Sequence, residues 1–275
     1  MGLLRCVEPD EVVDGGISSR ASVGSAGNWG MWTSSNQAVI GTNVNPYDGP
    51  LAIRSDIRSV DNNIGNVQII QNGFNLRAGY EYTLQFATVC KSARTVLASF
   101  ADAVGAHTDY FITSVAATTA WALYSSTFVT TVALSGLYLM FQVGSTTIQN
   151  NETKLDAISL IPMSPQVTFL PTYGYKRAKN IQRSDHRTIG GGLYTYIEKG
   201  NFTQFKVPMT FVNSEQYGLI NSWWRSGATL RWAEDDAYPD SYHTVKIVSK
   251  EDPFQTFQAP HFQVYYEGEI VMETI

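Results

Sequence analysis

The chain of 275 residues is 44% hydrophobic and 12% aromatic against 16% charged, enough apolar material for a sizeable core and too much for intrinsic disorder. Its formal charge of −5 sets nucleic acid aside as a partner, because phosphate-backbone binding rests on Lys and Arg displacing condensed counterions, and no basic stretch exceeds Tyr175 to Arg187. No run of about 18 apolar residues would span a membrane, and the length favours two domains over one.

Residues 1 to 14 (MGLLRCVEPDEVVD) hold no apolar stretch of signal-peptide length, which points away from secretion by signal. Cys6 and Cys90 are the only cysteines and lie far apart, so a buried, reduced state is expected rather than a disulfide framework or a metal pair. The sequons at Asn151 and Asn201 have meaning only in a eukaryotic secretory route.

Residues 15 to 50 are rich in Gly, Ser and Asn around Trp29 and Trp32, a loop-and-short-strand composition. Period-two alternation predicts strands over Leu51 to Ile57, Val67 to Gln71, Gly79 to Cys90, Thr95 to Ala101, Tyr110 to Thr113, Trp121 to Thr130, Gly136 to Val143 and Leu155 to Ile161. Many short strands without an intervening amphipathic helix indicate a sandwich or jelly roll. Three prolines between Pro162 and Pro171 resist a central strand and mark a domain boundary, giving domains 1–163 and 164–275. Beyond it, strands are predicted over Leu193 to Ile197, Thr203 to Val212, Ala228 to Trp232, His243 to Ser249 and Phe262 to Thr274. One helix lies among them, opened by Asn213 with Gln216 at capping-box spacing, closed by Gly227, and striped by Tyr217, Ile220 and Trp224. The fold class is therefore all-β: a jelly-roll β-sandwich followed by a smaller β-sandwich domain with one α-helix.

Three motifs, LRAGYEYTLQF (76 to 86), TAWALYSSTF (119 to 128) and the closing LDAISL (155 to 160), make residues 28 to 161 resemble the galactose-binding-like carbohydrate-binding modules attached to xylanases and cellulases. The resemblance implies two stacked antiparallel sheets that present aromatics and amides to a glycan. A sugar ring offers an apolar C–H face and a rim of hydroxyls, so its site needs a flat aromatic and planar groups that make paired hydrogen bonds. The candidates are Trp29 and Trp32, either exposed platforms or lids on the sandwich end, with Arg54, Gln68, Gln85 and Gln142 on strands where the polar side chain points away from the core. Trp121 matches a position that usually packs inside. Two features depart from the family: Ala87 stands where an aromatic often faces the cleft, and CVEPDEVVDGG replaces the usual N-terminal opening. Asp156 matches the family's Asp in the final strand, and with carbonyls and Glu8 or Asp14 would hold the family's structural calcium, the one cofactor the resemblance implies.

The second domain, with its hairpin GGGLYTYIEKGNFTQFKVPMTFV and helix ending in NSWWRSGATLRW, is similar in element order to domains of bacteriophage tail tube, distal tail and baseplate proteins. That resemblance implies a virion structural protein, made in the host cytoplasm, that docks on other tail or baseplate proteins as a homo-oligomeric ring and displays a jelly roll to host-surface polysaccharide. The alternatives are a non-catalytic carbohydrate-binding accessory of a polysaccharide-degrading system and a glycosidase. No HExxH, nucleophile elbow or P-loop occurs, so no enzyme is expected. The acidic loop with Glu234, Asp235, Asp236, Asp240 and His243 reads as a solvated turn before paired carboxylates, and Gly190 to Gly192 as a hairpin tip before a phosphate cradle. Lys176, Arg177, Lys179, Arg183 and Arg187 face either an acidic neighbouring subunit or solvent.

Overall fold

The structure is a computed structural model that describes residues 2–19, 23, 28–34, 38–58, 63–144, 151–169, 176–187, 193–235, 237–238, 241–254, 256–258 and 265–275. The chain divides into two compact units, residues 9–163 and residues 1–8 with 164–275. The first strand, β1 (Gly2–Cys6), belongs to the second unit, which corrects the placement of residues 1–8 in the first domain. The reason is pairing and burial. Leu3 to Cys6 lie antiparallel to residues 230–233, Leu4 and Cys6 enter the second core, and the Cys6 N–H donates to Ser164 Oγ at 2.9 Å.

The first unit holds β2 (Gly30–Thr33), β3 (Ala38–Asn43), β4 (Ala52–Ile57), β5 (Val67–Leu76), β6 (Glu81–Cys90), β7 (Arg94–Ala101), β8 (Asp109–Ala117), β9 (Ala122–Val129), β10 (Leu134–Gln142) and β11 (Asn151–Met163). They form two five-stranded sheets, in the orders β2-β5-β10-β7-β8 and β3-β4-β11-β6-β9. All their pairings are antiparallel.

Alternation explains the stacking. Val67, Ile69, Leu137, Leu139, Phe141, Val96, Ala98 and Phe100 of one sheet meet Ile53, Tyr82, Leu84, Phe86, Leu155 and Leu160 of the other in one core. Phe86 lies edge-on to Phe141 at 4.9 Å between ring centres, and Phe111 stacks on Phe128 at 3.9 Å. Phe86 and Phe141, both wholly buried, each contribute ~1.5–3 kcal/mol.

Pro162 sits inside β11 rather than beyond a strand. At that position β11 pairs with β6 through Tyr82, whereas its ladder with β4 has ended at Leu155, so the proline occupies an edge-like position.

The second unit adds β12 (Val167–Phe169), β13 (Lys176–Arg187), β14 (Leu193–Asn213), α1 (Ser214–Ser226), β15 (Leu230–Ala233), β16 (Tyr242–Ile247), β17 (Thr256–Gln258) and β18 (Tyr265–Thr274). Its strands form one sheet in the order β12-β1-β15-β16-β18-β14-β13, with β17 on β18. The two segments predicted over 193–197 and 203–212 are a single strand, β14.

Helix α1 begins at the capping box of Asn213 and Gln216 and ends at Gly227, whose φ of 64° is the left-handed conformation a glycine adopts without a Cβ penalty. Ile220 and Trp223 carry its buried face, Trp223 being the member that the predicted stripe missed, while Trp224 donates its indole N–H to Ser249 O at 2.9 Å. Cys6 and Cys90 are both buried thiols outside any disulfide.

Candidate functional site

Alternation in the sheet of β2, β5, β10, β7 and β8 puts Val67, Ile69, Leu139 and Phe141 into the core and turns Gln68, Ile70, Tyr138, Met140, Gln142 and Ser99 the other way. One row crosses this outer face: Trp32 is opposite Gln68, Gln68 opposite Gln142, and Gln142 opposite Leu97. Three of the six predicted glycan residues, on three different strands, are thus brought side by side.

A polar side chain on an outer sheet face ordinarily meets water, yet Gln68 is 0% and Gln142 5% exposed. Residues 102–108, between β7 and β8, cover them. The Gly105 N–H donates to Gln68 Oε1 at 3.1 Å, and Gln68 Nε2 donates to Gly65 O at 3.0 Å and Gly105 O at 3.4 Å. Gln142 Nε2 lies 3.3 Å from both Ser99 Oγ and His107 Nε2, and His107 Nδ1 lies 2.6 Å from Gly105 O. Ser99 itself is wholly buried.

Trp32 is partly exposed, and its ring lies against Gly105 so closely that a Cβ there would stand 2.7 Å from the indole. Tyr138 is half-buried two residues from Met140 on the same face, and Tyr110 on β8 is 47% exposed. Together these supply flat aromatics flanking a polar amide row, the combination that binds a ring with an apolar face and hydroxylated rim.

Sequence reasoning missed Tyr138, Ser99 and His107. Tyr138 is inside LYLMFQ, where five consecutive apolar residues hide which face each takes. His107 carries no motif signal, since its role comes from a loop crossing the sheet.

The other candidates lie elsewhere. Trp29 is 0% exposed in the core, 6.1 Å from the Phe141 ring centre, and donates its indole N–H to Asp14 O at 3.3 Å; it is neither platform nor lid but packing. Arg54 is on β4 of the opposite sheet, gripping Asp56 through two nitrogens at 2.9 and 2.5 Å and Glu152 at 2.9 Å. The hydrogen bond to Asp56 is the main cause that raises the Arg54 pKa above its ordinary value. Gln85 is on β6 of that sheet, opposite Ser125 and Ser159. Trp121 precedes β9 there, its ring 6.0 Å from that of the exposed Tyr47.

Asp156 is wholly buried beside a register shift in β11. Its Oδ2 accepts the backbone N–H groups of Tyr47 and Asp48 at 2.8 and 2.9 Å, and its Oδ1 accepts that of Ala157 at 2.8 Å. Burial raises its pKa despite these donors. Three N–H dipoles point at the oxygens that would have to face a cation, so the donor set does not fit calcium and instead pins the 47–48 turn. Glu8 is in the other unit, Asp14 Oδ1 accepts from Ser18 N at 2.7 Å, and among the described residues no group of three His, Cys, Asp or Glu side chains comes together.

In the second unit a cavity of about 420 Å³ is lined by Arg177, Glu234, Asp235, Tyr238, Ser241 and His243. Glu234 Oε1 bridges Arg177 at 2.9 Å and His243 at 3.4 Å, which commits that carboxylate to pairing. Asp236, Asp240 and Gly190 to Gly192 fall outside the described residues, as do the side chains of Arg183 and Arg187, while Lys176, Arg177 and Lys179 are exposed.

Comparison with known proteins follows this division. The carbohydrate binding domain family matches residues 12–152, whereas no curated protein matches the chain. A solved structure described as "CBM4 structure and function" is 19% identical, covers 55% of this chain and 99% of its own, and has a TM-score of 0.47. The N-terminal cellulose-binding domain of Cellulomonas fimi β-1,4-glucanase C is 18% identical over 50% of this chain and 90% of its own, with a TM-score of 0.39. The enzymatically active domain of bacteriophage CBA120 tailspike protein 4 is 14% identical over 55% of this chain and 21% of its own, with a TM-score of 0.42. At such scores the structural likenesses add no weight, and the assignment rests on the family match spanning more than half the residues: this chain belongs to the carbohydrate binding domain family.

Proposed function

We propose that this protein binds polysaccharide without cleaving it, holding a glycan chain across the outer face of the β2-β5-β10-β7-β8 sheet. The observation that carries the reading is the row Trp32–Gln68–Gln142, an aromatic beside two sequestered amides on the side of the sheet that faces away from the core. Each amide offers a donor and an acceptor in one plane, which suits adjacent sugar hydroxyls, and Trp32 and Tyr138 supply stacking surfaces. Electrophoresis through gels containing soluble β-glucan or xylan tests this. The wild-type protein is expected to be retarded by one of them and Gln142→Ala to run as in a blank gel while still unfolding cooperatively; equal retardation of both would remove the amide row from the site. In this reading the protein serves as an accessory of a polysaccharide-degrading system.

A second reading keeps the same glycan site and places the protein in a virion tail, docked on tail or baseplate proteins as a homo-oligomeric ring. It is favoured by the second unit, where β14 pairs with β18 from Gln204 onward while its stretch from Leu193 to Lys199 is laddered, among the described residues, with β13 alone. A two-stranded ribbon is marginal in water and gains from a further strand. Sedimentation of the full chain at micromolar concentration tests it: a defined oligomer supports assembly, and a monomer at every concentration contradicts it.

A further inference from the structure

On the same sheet face, a loop lies over the proposed glycan site and bonds to its amides. Two amide side chains in this unit grip a peptide group in the same two-point manner. Gln71 donates to Val13 O at 2.7 Å and accepts from Val13 N at 3.1 Å, tying down the segment before β2. Gln68 does the same with Gly105, at 3.4 and 3.1 Å. The first pair sits within the usual N–H···O range at both points, and the second is stretched at one of them. Gly105 is one of seven loop residues between β7 and β8 that have no strand partner there, Asp102 turning the loop by accepting from Thr108 N at 2.9 Å.

We propose that residues 102–108 are a displaceable strap and that the Gly105 peptide group is a built-in stand-in for the ligand, released from Gln68 when a saccharide with adjacent hydroxyls takes its place. The inference rests on the reading of this face as the glycan site, and deepens it.

The chemistry matches point for point. A peptide group presents one N–H donor and one C=O acceptor to the Gln68 amide, and a vicinal diol presents one O–H donor and one oxygen acceptor to the same two atoms. Gln142 and Ser99, otherwise stranded on an outer face, are kept satisfied by each other and by His107 from the strap until the ligand arrives. Trp32 lies under the strap in the closed state, so its ring is uncovered by the same movement.

The strap requires glycine at 105 for two reasons. Its φ is +78°, a conformation that side chains with a Cβ resist, and an added Cβ would meet the Trp32 ring at 2.7 Å, an atom of a rigid ring that cannot fold away. Gly105→Ala therefore disfavours the closed state while leaving Gln68, Gln142 and Trp32 intact. Because apparent affinity scales with the fraction of protein that is open, the substitution should tighten binding, by about threefold or more.

The experiment has two arms on the full chain. Without sugar, hydrogen–deuterium exchange over residues 102–108 should be slow in the wild type and markedly faster in Gly105→Ala; equal rates would overturn the strap. With soluble mixed-linkage β-glucan or xylohexaose as the probe, calorimetry should show tighter binding by Gly105→Ala, and saturating probe should speed exchange of 102–108 in the wild type instead of protecting it. Weaker or unchanged binding, or protection of the segment, would overturn the displacement. Should neither probe nor any other soluble glycan bind either protein, the glycan reading fails and the proposed displacement falls with it, whereas the sugar-free arm would still report on closure.

Discussion

The two outward faces of the sandwich are made by the same alternation and end in opposite states. On the β3-β4-β11-β6-β9 sheet the outward residues Arg54, Asp56, Glu152 and Lys154 form a ladder of ion pairs on the surface, with side chains from 17% to 39% exposed. On the β2-β5-β10-β7-β8 sheet the outward Gln68, Ser99 and Gln142 are uncharged and sequestered beneath a loop. Solvent-exposed ion pairs need nothing more than water and contribute little. Buried amides demand partners, and groups that demand partners on the outside of a sheet are groups a ligand can satisfy. The charged face is surface; the amide face is the proposed site.

The largest effect expected from breaking this contrast comes from neither face but from the packing between them. Trp29→Ala should cost ~3–5 kcal/mol in chemical denaturation, as removal of a wholly buried aromatic does, and any loss of glycan retention should follow the fraction unfolded. Gln142→Ala comes next: removing the amide that the buried Ser99 Oγ pairs with, while His107 Nε2 keeps Asp109 Oδ1 at 3.2 Å, should cost ~1–3 kcal/mol and reduce retention more than tenfold, read by the same denaturation series and by affinity electrophoresis.

Asp156 gives a pH signature on the charged side. Its folded pKa is raised by burial above the ordinary carboxylate value, so folding favours its protonated form. The stabilisation this brings is complete below the unfolded pKa and is lost as pH rises through the folded value. Urea unfolding from pH 3.5 to 7 should therefore show the wild type losing stability relative to Asp156→Asn as pH increases; a difference independent of pH, or one of the opposite slope, would contradict the assignment. Smallest of all, Arg54→Ala and Gln85→Ala should each cost less than ~1 kcal/mol and leave retention unchanged.

Much of the architecture could be read directly from residue order. Alternation in EYTLQFATVC and the capping box of Asn213 with Gln216 are local signals, and β6 and α1 form where those signals lie. The site was half legible. Gln68 and Gln142 were identifiable as outward-pointing because a polar residue interrupts an apolar alternation, but Arg54 and Gln85 satisfy the same criterion, and nothing local tells which sheet a strand will join.

Trp29 and Trp32 occupy one short motif, GNWGMW, and differ by three residues, enough to send one into the core and the other outward. The role of His107 and the burial of the amides depend on a loop folding back over a sheet, a long-range event with no sequence period. The membership of β1 in the second unit is equally non-local, since GLLRC pairs with strands more than 150 residues away.

The central claim, that glycan is held on the amide face, is tested most directly by hydroxyl-radical footprinting of the full chain with and without a retained soluble polysaccharide. The account predicts protection of Trp32, Tyr110 and Tyr138 on the amide sheet, with Tyr47, Trp121 and Leu123 by the other sheet unchanged. Protection of Tyr47, Trp121 and Leu123 with Trp32, Tyr110 and Tyr138 unaffected would contradict it.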